Sequence, residues 1–236
     1  MKTGVYSVLY DLALNMAIGA CFIPFLLLSW RRMRQVWTYR FIGIYWLLSG
    51  LINMIDLDFF PYFTNAPGVK QCLNCYYDMV DTPLALLIFA SAVSGRQRRQ
   101  ILWVLLLFVA GELTLIGFKG YGAATSTLII GVGLALTVTY TIIGLVQYMK
   151  KMEHTPFENS IAFVYAALIF VYGSYLILYI FSLIRDNSNG NSTDSSLVYY
   201  ISMLLSAIIT SLGLWSYGLR RPQTAYSSKP HSSSSS

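Results

Sequence analysis

Residues 72–90 read CLNCYYDMVDTPLALLIFA, and this stretch decides the fold class because it carries two acids and a proline into an otherwise unbroken apolar run. Asp78 and Asp81 are three residues apart, so on a helix both carboxylates lie on one face. Pro83 follows them and removes a backbone donor. A carboxylate near the bilayer centre costs roughly 2.5 to 3.5 kcal/mol, so such groups usually face a protein interior or a wet cavity. The stretch predicts an acidic pocket inside a helical membrane bundle.

The composition of the whole chain agrees with a membrane protein. Of its 236 residues, 56% are hydrophobic and only 11% are charged, which is typical of the membrane class. The apolar residues form seven blocks, each close to the length of about 20 residues that crosses a hydrocarbon core. We predict an all-α, polytopic seven-transmembrane-helix bundle over residues 1–221, with helices near 5–29, 40–60, 77–94, 101–118, 124–149, 159–184 and 196–219. Residues 222–236 are predicted to be a disordered, Ser-rich cytoplasmic tail.

The positions of the basic residues predict the orientation. The net charge is +6, and most cations lie in alternate connecting segments, around Arg31–Arg40, Arg96–Arg99, Lys150–Lys151 and Arg220–Arg221. The positive-inside rule then places the amino terminus outside and the carboxyl terminus in the cytoplasm. Basic clusters at this depth contact lipid headgroups, so nucleic acid is not expected as a partner. We expect a multi-pass integral protein of a plasma or inner membrane.

Several polar residues of the amino-terminal half share a depth. Counting 1.5 Å per residue from the predicted cytoplasmic helix ends puts Asp81, Glu112, Asn53 and Asn15 at one level, with Asp78, Asp56 and Asp11 about one turn further out. No lysine or arginine lies at a matching depth, so a proton or a cationic ligand would neutralise the acids. We predict that these seven residues form a ligand- or proton-binding site. The alternative is that they are interfacial residues exposed to water at helix ends.

Cys72 and Cys75 form a CxxC motif at the outer mouth of the third predicted helix. It is open to three interpretations: a disulfide or an idle thiol pair, a reactive redox pair at a helix start, and a metal site. The last is weak because no histidine lies nearby in sequence. We predict neither a metal ion nor another cofactor.

The remaining motifs exclude several function classes. Every lysine lies outside the predicted spans, so a retinal Schiff base is excluded. His154 and His231 also lie outside them, which removes the ligands of an intramembrane zinc hydrolase. The chain has no recognisable nucleophilic triad or phosphate-binding loop. An enzyme is therefore less expected than a binding or transport protein.

Three functional hypotheses remain. The first is a receptor or sensor that binds a small ligand or cation in an outward-facing acidic pocket, closed by tyrosines of the sixth and seventh spans, and that signals to a cytoplasmic or membrane partner. The second is a proton- or cation-coupled transporter of small solutes. The third is a membrane thiol oxidoreductase that uses Cys72 and Cys75.

Overall fold

The fold is all-helical in a computed structural model that describes residues 2–31, 33, 36–56, 67–185 and 193–219. Seven helices occupy these residues: α1 (Lys2–Trp30), α2 (Trp37–Asp56), α3 (Pro67–Ala92), α4 (Gly95–Lys119), α5 (Ala123–Met149), α6 (Pro156–Arg185) and α7 (Thr193–Leu219). Each coincides with one predicted apolar block. The predicted tail at 222–236 lies outside the described residues.

Two helices begin more than five residues earlier than predicted. Helix α3 starts at Pro67, so the CxxC motif lies on the helix. Helix α4 starts at Gly95, so Arg96, Arg98 and Arg99 belong to its first turns and not to a loop. Arginine and glutamine are good helix formers, and the polar end of a membrane helix can extend into the headgroup region. A hydropathy boundary therefore comes too late in the chain.

Five of these helices are long and apolar enough to cross a membrane: α1, α4, α5, α6 and α7. The chain is accordingly an integral membrane protein. Helices α2 and α3 have 20 and 26 residues, or about 30 and 39 Å at 1.5 Å per residue. They are less apolar and carry Asp56, Asp78 and Asp81. Seven crossings and an external amino terminus stay predictions.

The helices form a ring with one helix outside it. Neighbours around the ring are α1, α2, α3, α5, α6 and α7, and α7 closes it by packing against α1. Helix α4 packs mainly against α3 and touches α5 only slightly. Its buried residues, Ile101, Phe108 and Glu112, follow helical spacing and form one stripe. That stripe faces α3, which is therefore the helix shared by the ring and the outer layer.

Close packing fixes α3 against its neighbour α5. A Cβ atom on Gly133 would overlap Oγ1 of Thr82, so a larger residue at this crossing would have to displace the Thr82 side chain. Thr82 directly follows Asp81. Small residues let membrane helices approach closely where no hydrophobic effect drives association. The contact between Gly133 and Thr82 thus holds α3 at the level of the predicted acidic site.

Helix α6 supplies the opposite wall of the ring and has a defined start. Thr155 and Glu158 form a capping box: the Thr155 amide donates to the Glu158 carboxylate, and the Glu158 amide donates to the Thr155 hydroxyl. Pro156 occupies the first helical position, where its missing donor costs nothing. This cap sets the register from which Tyr172 reaches the interior.

Candidate functional site

Asp81 lies inside the ring and is held by phenols. The Tyr172 hydroxyl of α6 donates a hydrogen bond of 2.7 Å to Oδ2 of Asp81. Tyr77, one turn earlier on α3, makes a second side-chain hydrogen bond to the same carboxylate. In the described part of the chain, no lysine, arginine or histidine contacts Asp81. Its charge is therefore stabilised by neutral donors alone, in bonds stronger than those between two neutral groups.

The hydrogen bonds continue beyond Asp81 to a third helix. Tyr45 of α2 is hydrogen bonded to Tyr172, and their ring centroids are 6.4 Å apart. A tyrosine has one hydroxyl proton to donate. Tyr172 donates its proton in the hydrogen bond to Asp81, so Tyr45 is the donor in the hydrogen bond to Tyr172. We call Asp81, Tyr77, Tyr172 and Tyr45 the tyrosine–aspartate network. It joins α2, α3 and α6 through one carboxylate.

Helix α7 lies beside this network through Asn53 and Tyr199. The Asn53 amide donates to the Ser49 carbonyl at 2.7 Å and contacts the Met203 sulfur at 3.7 Å. It is also hydrogen bonded to Tyr199, whose ring packs edge-on against Tyr175 at 5.7 Å. Asn53 thus joins α2 to α7. Tyr172 and Tyr175 belong to α6, and Tyr199 belongs to α7.

Asp78 occupies a separate cluster, nearer than Asp81 to the amino-terminal end of α3. Tyr121, in the connection between α4 and α5, donates to Oδ2 of Asp78 at 2.6 Å, and the Ser126 hydroxyl lies 3.2 Å from the same oxygen. Burial, and then the hydrogen bond to Asp78, raise the pKa of Tyr121 to about 12. The phenol therefore stays protonated and continues to donate at physiological pH. Tyr121 thus joins the connection between α4 and α5 to α3.

Glu112 is buried between α4 and α3. Its side chain is only 3% exposed, and Oε1 has no hydrogen-bond partner among the described residues. The charged neighbour that acts on it is Asp78. A buried carboxylate oxygen without a partner is costly. Glu112 is thus a place where a proton or a cation would lower the free energy.

The structure divides the predicted acidic chamber into two sites. Asp81 is bonded to α6 inside the ring, whereas Glu112 lies on the stripe by which α4 packs against α3. Helices α4 and α6 are not neighbours. The depth of a residue along its helix does not fix the side of α3 that each acid faces.

The other predicted site residues are distributed differently. Asp11 and Asn15 are exposed on α1, and the Asn15 amide donates to the Asp11 carbonyl at 2.7 Å. They follow the interfacial alternative and are not among the groups around Asp81. Asp56 ends α2, and its side chain lies outside the described residues.

The CxxC thiols and the acids show no metal centre in the described ranges. Cys72 and Cys75 are free thiols, one exposed and one partly buried. No group of three His, Cys, Asp or Glu side chains comes together there in a way that could hold a metal ion. The redox interpretation stays a prediction.

Sequence reasoning missed three residues that contact the acids, Tyr77, Tyr121 and Ser126. It also missed Tyr45, which reaches Asp81 only through Tyr172. A signal was present only for Tyr77, which precedes Asp81 by four residues and so shares its face on a helix. Tyr45 and Tyr121 come from other segments and reach their partners only in the folded bundle.

Comparison of the chain with known protein families, with characterised proteins and with solved structures finds no match. The functional argument therefore rests on the geometry of these clusters.

Proposed function

We propose that the chain is a receptor- or sensor-type protein with seven membrane spans and an external amino terminus, and that Asp81 binds a proton or a small cation from the outer side. The observation that carries the proposal is the hydrogen bond of 2.7 Å from Tyr172 to Asp81. It joins α3 to α6 through a carboxylate that has no cationic partner among the described residues. A change in the charge of this one group would act on two helices.

Protonation would weaken this connection for a simple chemical reason. An ionised carboxylate only accepts hydrogen bonds, whereas a protonated one also carries a donor. The added proton competes with a phenol proton for one carboxylate oxygen of Asp81. The hydrogen bonds to the carboxyl group are then no longer charge-assisted and become weaker. Tyr77 shares α3 with Asp81, so its bond ties no helices together. The bond from Tyr172 does, and its weakening would loosen α6 from α3.

The surroundings of Asp81 favour a very small ligand. Both phenols are hydrogen bonded to the carboxylate, and the ring centroid of Tyr45 lies 6.4 Å from that of Tyr172. A proton needs no added volume, and a small cation needs only the displacement of one phenol. The cluster of Asp78, Tyr121 and Ser126 would lie on the approach from the outer side. The Asp78 carboxylate would be the first that such a ligand meets.

The signal would leave as a movement of α6 relative to α3. Both helices reach the basic end of the bundle, where α3 ends at Ala92 and α6 begins at Pro156. A cytoplasmic or membrane partner would receive this movement. Two-state displacement of packed elements is the usual route of such coupling.

The test is a pair of distance measurements between the basic ends of α3 and α6. Spin labels are attached to cysteines introduced at two exposed positions, Ser94→Cys and Glu153→Cys. The substitutions Cys72→Ser and Cys75→Ser remove the other accessible thiols. Acidification is expected to shift the distance distribution. Asp81→Asn should hold it at one value, and the matched control Asp11→Asn, on an exposed acid of α1, should respond like the parent. An equal shift in Asp81→Asn, or none in the parent, would sink the proposal.

A transporter is the second candidate, favoured by the unpartnered Oε1 of Glu112. A buried acid of this kind can carry a proton between two sides of a membrane. Proton-driven flux in proteoliposomes that vanishes in Glu112→Gln would support transport. Loss of the α6 movement in Asp81→Asn with no flux in the parent would favour the sensor.

A further inference from the structure

A crevice opens between α4 and α5 at the basic end of the bundle. Helix α4 leans on α3 and barely touches α5, which leaves a cavity of about 500 Å³ between them. Its walls are mostly apolar and come from α3, α4 and α5: Phe89, Val93, Ile101, Val104, Ile143 and Gly144. Helices α4 and α5 are both long and apolar enough to cross a membrane, so the gap between them opens sideways toward lipid.

The mouth of this crevice is polar. Gln97, Gln100 and Gln147 line the same cavity and supply amide groups near its basic end. A second cavity of about 660 Å³ shares Gln100 and Trp103 with it and is lined by Arg96 and Arg99. We call the two adjoining cavities the arginine crevice. The residues that line it change along its length from arginines to glutamines to apolar side chains.

The two arginines have no acid to neutralise them nearby. Both are exposed, the first turn of α4 contains no acidic residue, and no ion pair joins either to a carboxylate within the described ranges. The ion pair found at this end of the bundle joins Lys151 and Glu158. Arginine presents a planar fork of donors that matches a phosphate in a bidentate way.

We propose that the arginine crevice binds one anionic phospholipid from the leaflet at this end, the cytoplasmic leaflet in the predicted orientation. The phosphate lies between Arg96 and Arg99, the glutamine amides donate to the glycerol ester carbonyls, and one acyl chain lies between α4 and α5. Basic pockets between membrane helices at this depth are suited to acidic lipid headgroups. The apolar cavity has the size of ordinary ligand pockets, about 300 to 1,000 Å³, and a lateral opening that a soluble anion would not need.

The test uses purified protein in nanodiscs of mixed phosphatidylglycerol and phosphatidylcholine, with the lipid that stays bound after detergent extraction counted by native mass spectrometry. Arg99→Gln is expected to lower the retention of phosphatidylglycerol about tenfold or more, because one charged hydrogen-bond donor is lost. The matched control is Arg98→Gln, which removes the same charge from the same helix turn but lines neither cavity. It should retain the lipid.

Two further arms separate a seated lipid from loose attraction to the bilayer. Ile143→Trp fills the apolar wall from an exposed position and should abolish retention, and Val104→Trp serves if that variant does not fold. Added glycerol phosphate should not compete, whereas phosphatidylglycerol should. Equal losses in Arg98→Gln and Arg99→Gln, or full retention with the crevice filled, would overturn the proposal.

Discussion

The Tyr172 hydroxyl lies 2.7 Å from Oδ2 of Asp81, although the two residues are 91 positions apart in the chain. Tyr172 is 3% exposed, so the bond is formed away from solvent. Replacing Tyr172 by phenylalanine should lower the free energy of unfolding by about 1 to 3 kcal/mol, because a partly buried charged acceptor loses one donor. Unfolding in mixed micelles measures this change.

Tyr175→Phe is the control for that substitution. Tyr175 lies on the same helix, is 37% exposed, and packs its ring on Tyr199 without donating to Asp81. Its loss should change the free energy of unfolding by less than the Tyr172 variant does. Equal effects of the two variants would mean that the bond to Asp81 contributes nothing specific.

Helix packing at Gly133 makes a second prediction. A methyl group there would overlap Oγ1 of Thr82, so Gly133→Ala should destabilise the bundle by about 1 to 3 kcal/mol, as overpacked cores do. Gly111→Ala is the control, because nothing lies within 4 Å of its added Cβ and alanine favours the helix. Adding Thr82→Ala to Gly133→Ala should restore part of the loss. Thermal unfolding of the four proteins decides the matter.

Tyr121 should titrate late. Its pKa is raised to about 12, first by burial and then by the hydrogen bond to Asp78, so ultraviolet difference spectra should show one phenol that ionises above the ordinary value of about 10. The pKa of Tyr121 is higher in the folded state than in the unfolded state. The hydrogen bond to Asp78 therefore stabilises the fold below a pH of about 10, and this stabilisation is lost as the pH rises toward the folded-state pKa.

Asp78→Asn tests the cause of that shift. Removing the carboxylate should move the pKa of Tyr121 part of the way back, since burial remains. Tyr121→Phe should remove the late transition altogether. A transition that is unchanged in Asp78→Asn would show that the carboxylate does not hold this phenol.

The cysteines test the orientation of α3. Cys72 is exposed, whereas Cys21 is fully buried in α1. A membrane-impermeant maleimide added to intact cells should modify Cys72 and leave Cys21 unmodified if the start of α3 is outside. Ser94→Cys, at the other end of α3, should react only after the membrane is opened. The reverse pattern would contradict an external amino terminus.

The sequence by itself determined the helices of the described residues and the membrane class. Hydrophobic block length and the spacing of residues such as Asp78 and Asp81 are local properties, and a helix converts them directly into spans and faces. The length of a hydrophobic block was less reliable at helix ends, where the arginines of α4 extend the helix beyond its apolar part.

Only the tertiary structure decided which acid meets which partner. The rotation of each helix about its axis is set by contacts such as that between Gly133 and Thr82, and by the choice of α3 as the partner of α4. These contacts join residues far apart in the chain, so no local pattern carries them. They turn Asp81 toward Tyr172 and Glu112 toward the other face of α3. They also hold α4 away from α5, which is why the arginine crevice could not be predicted from the sequence.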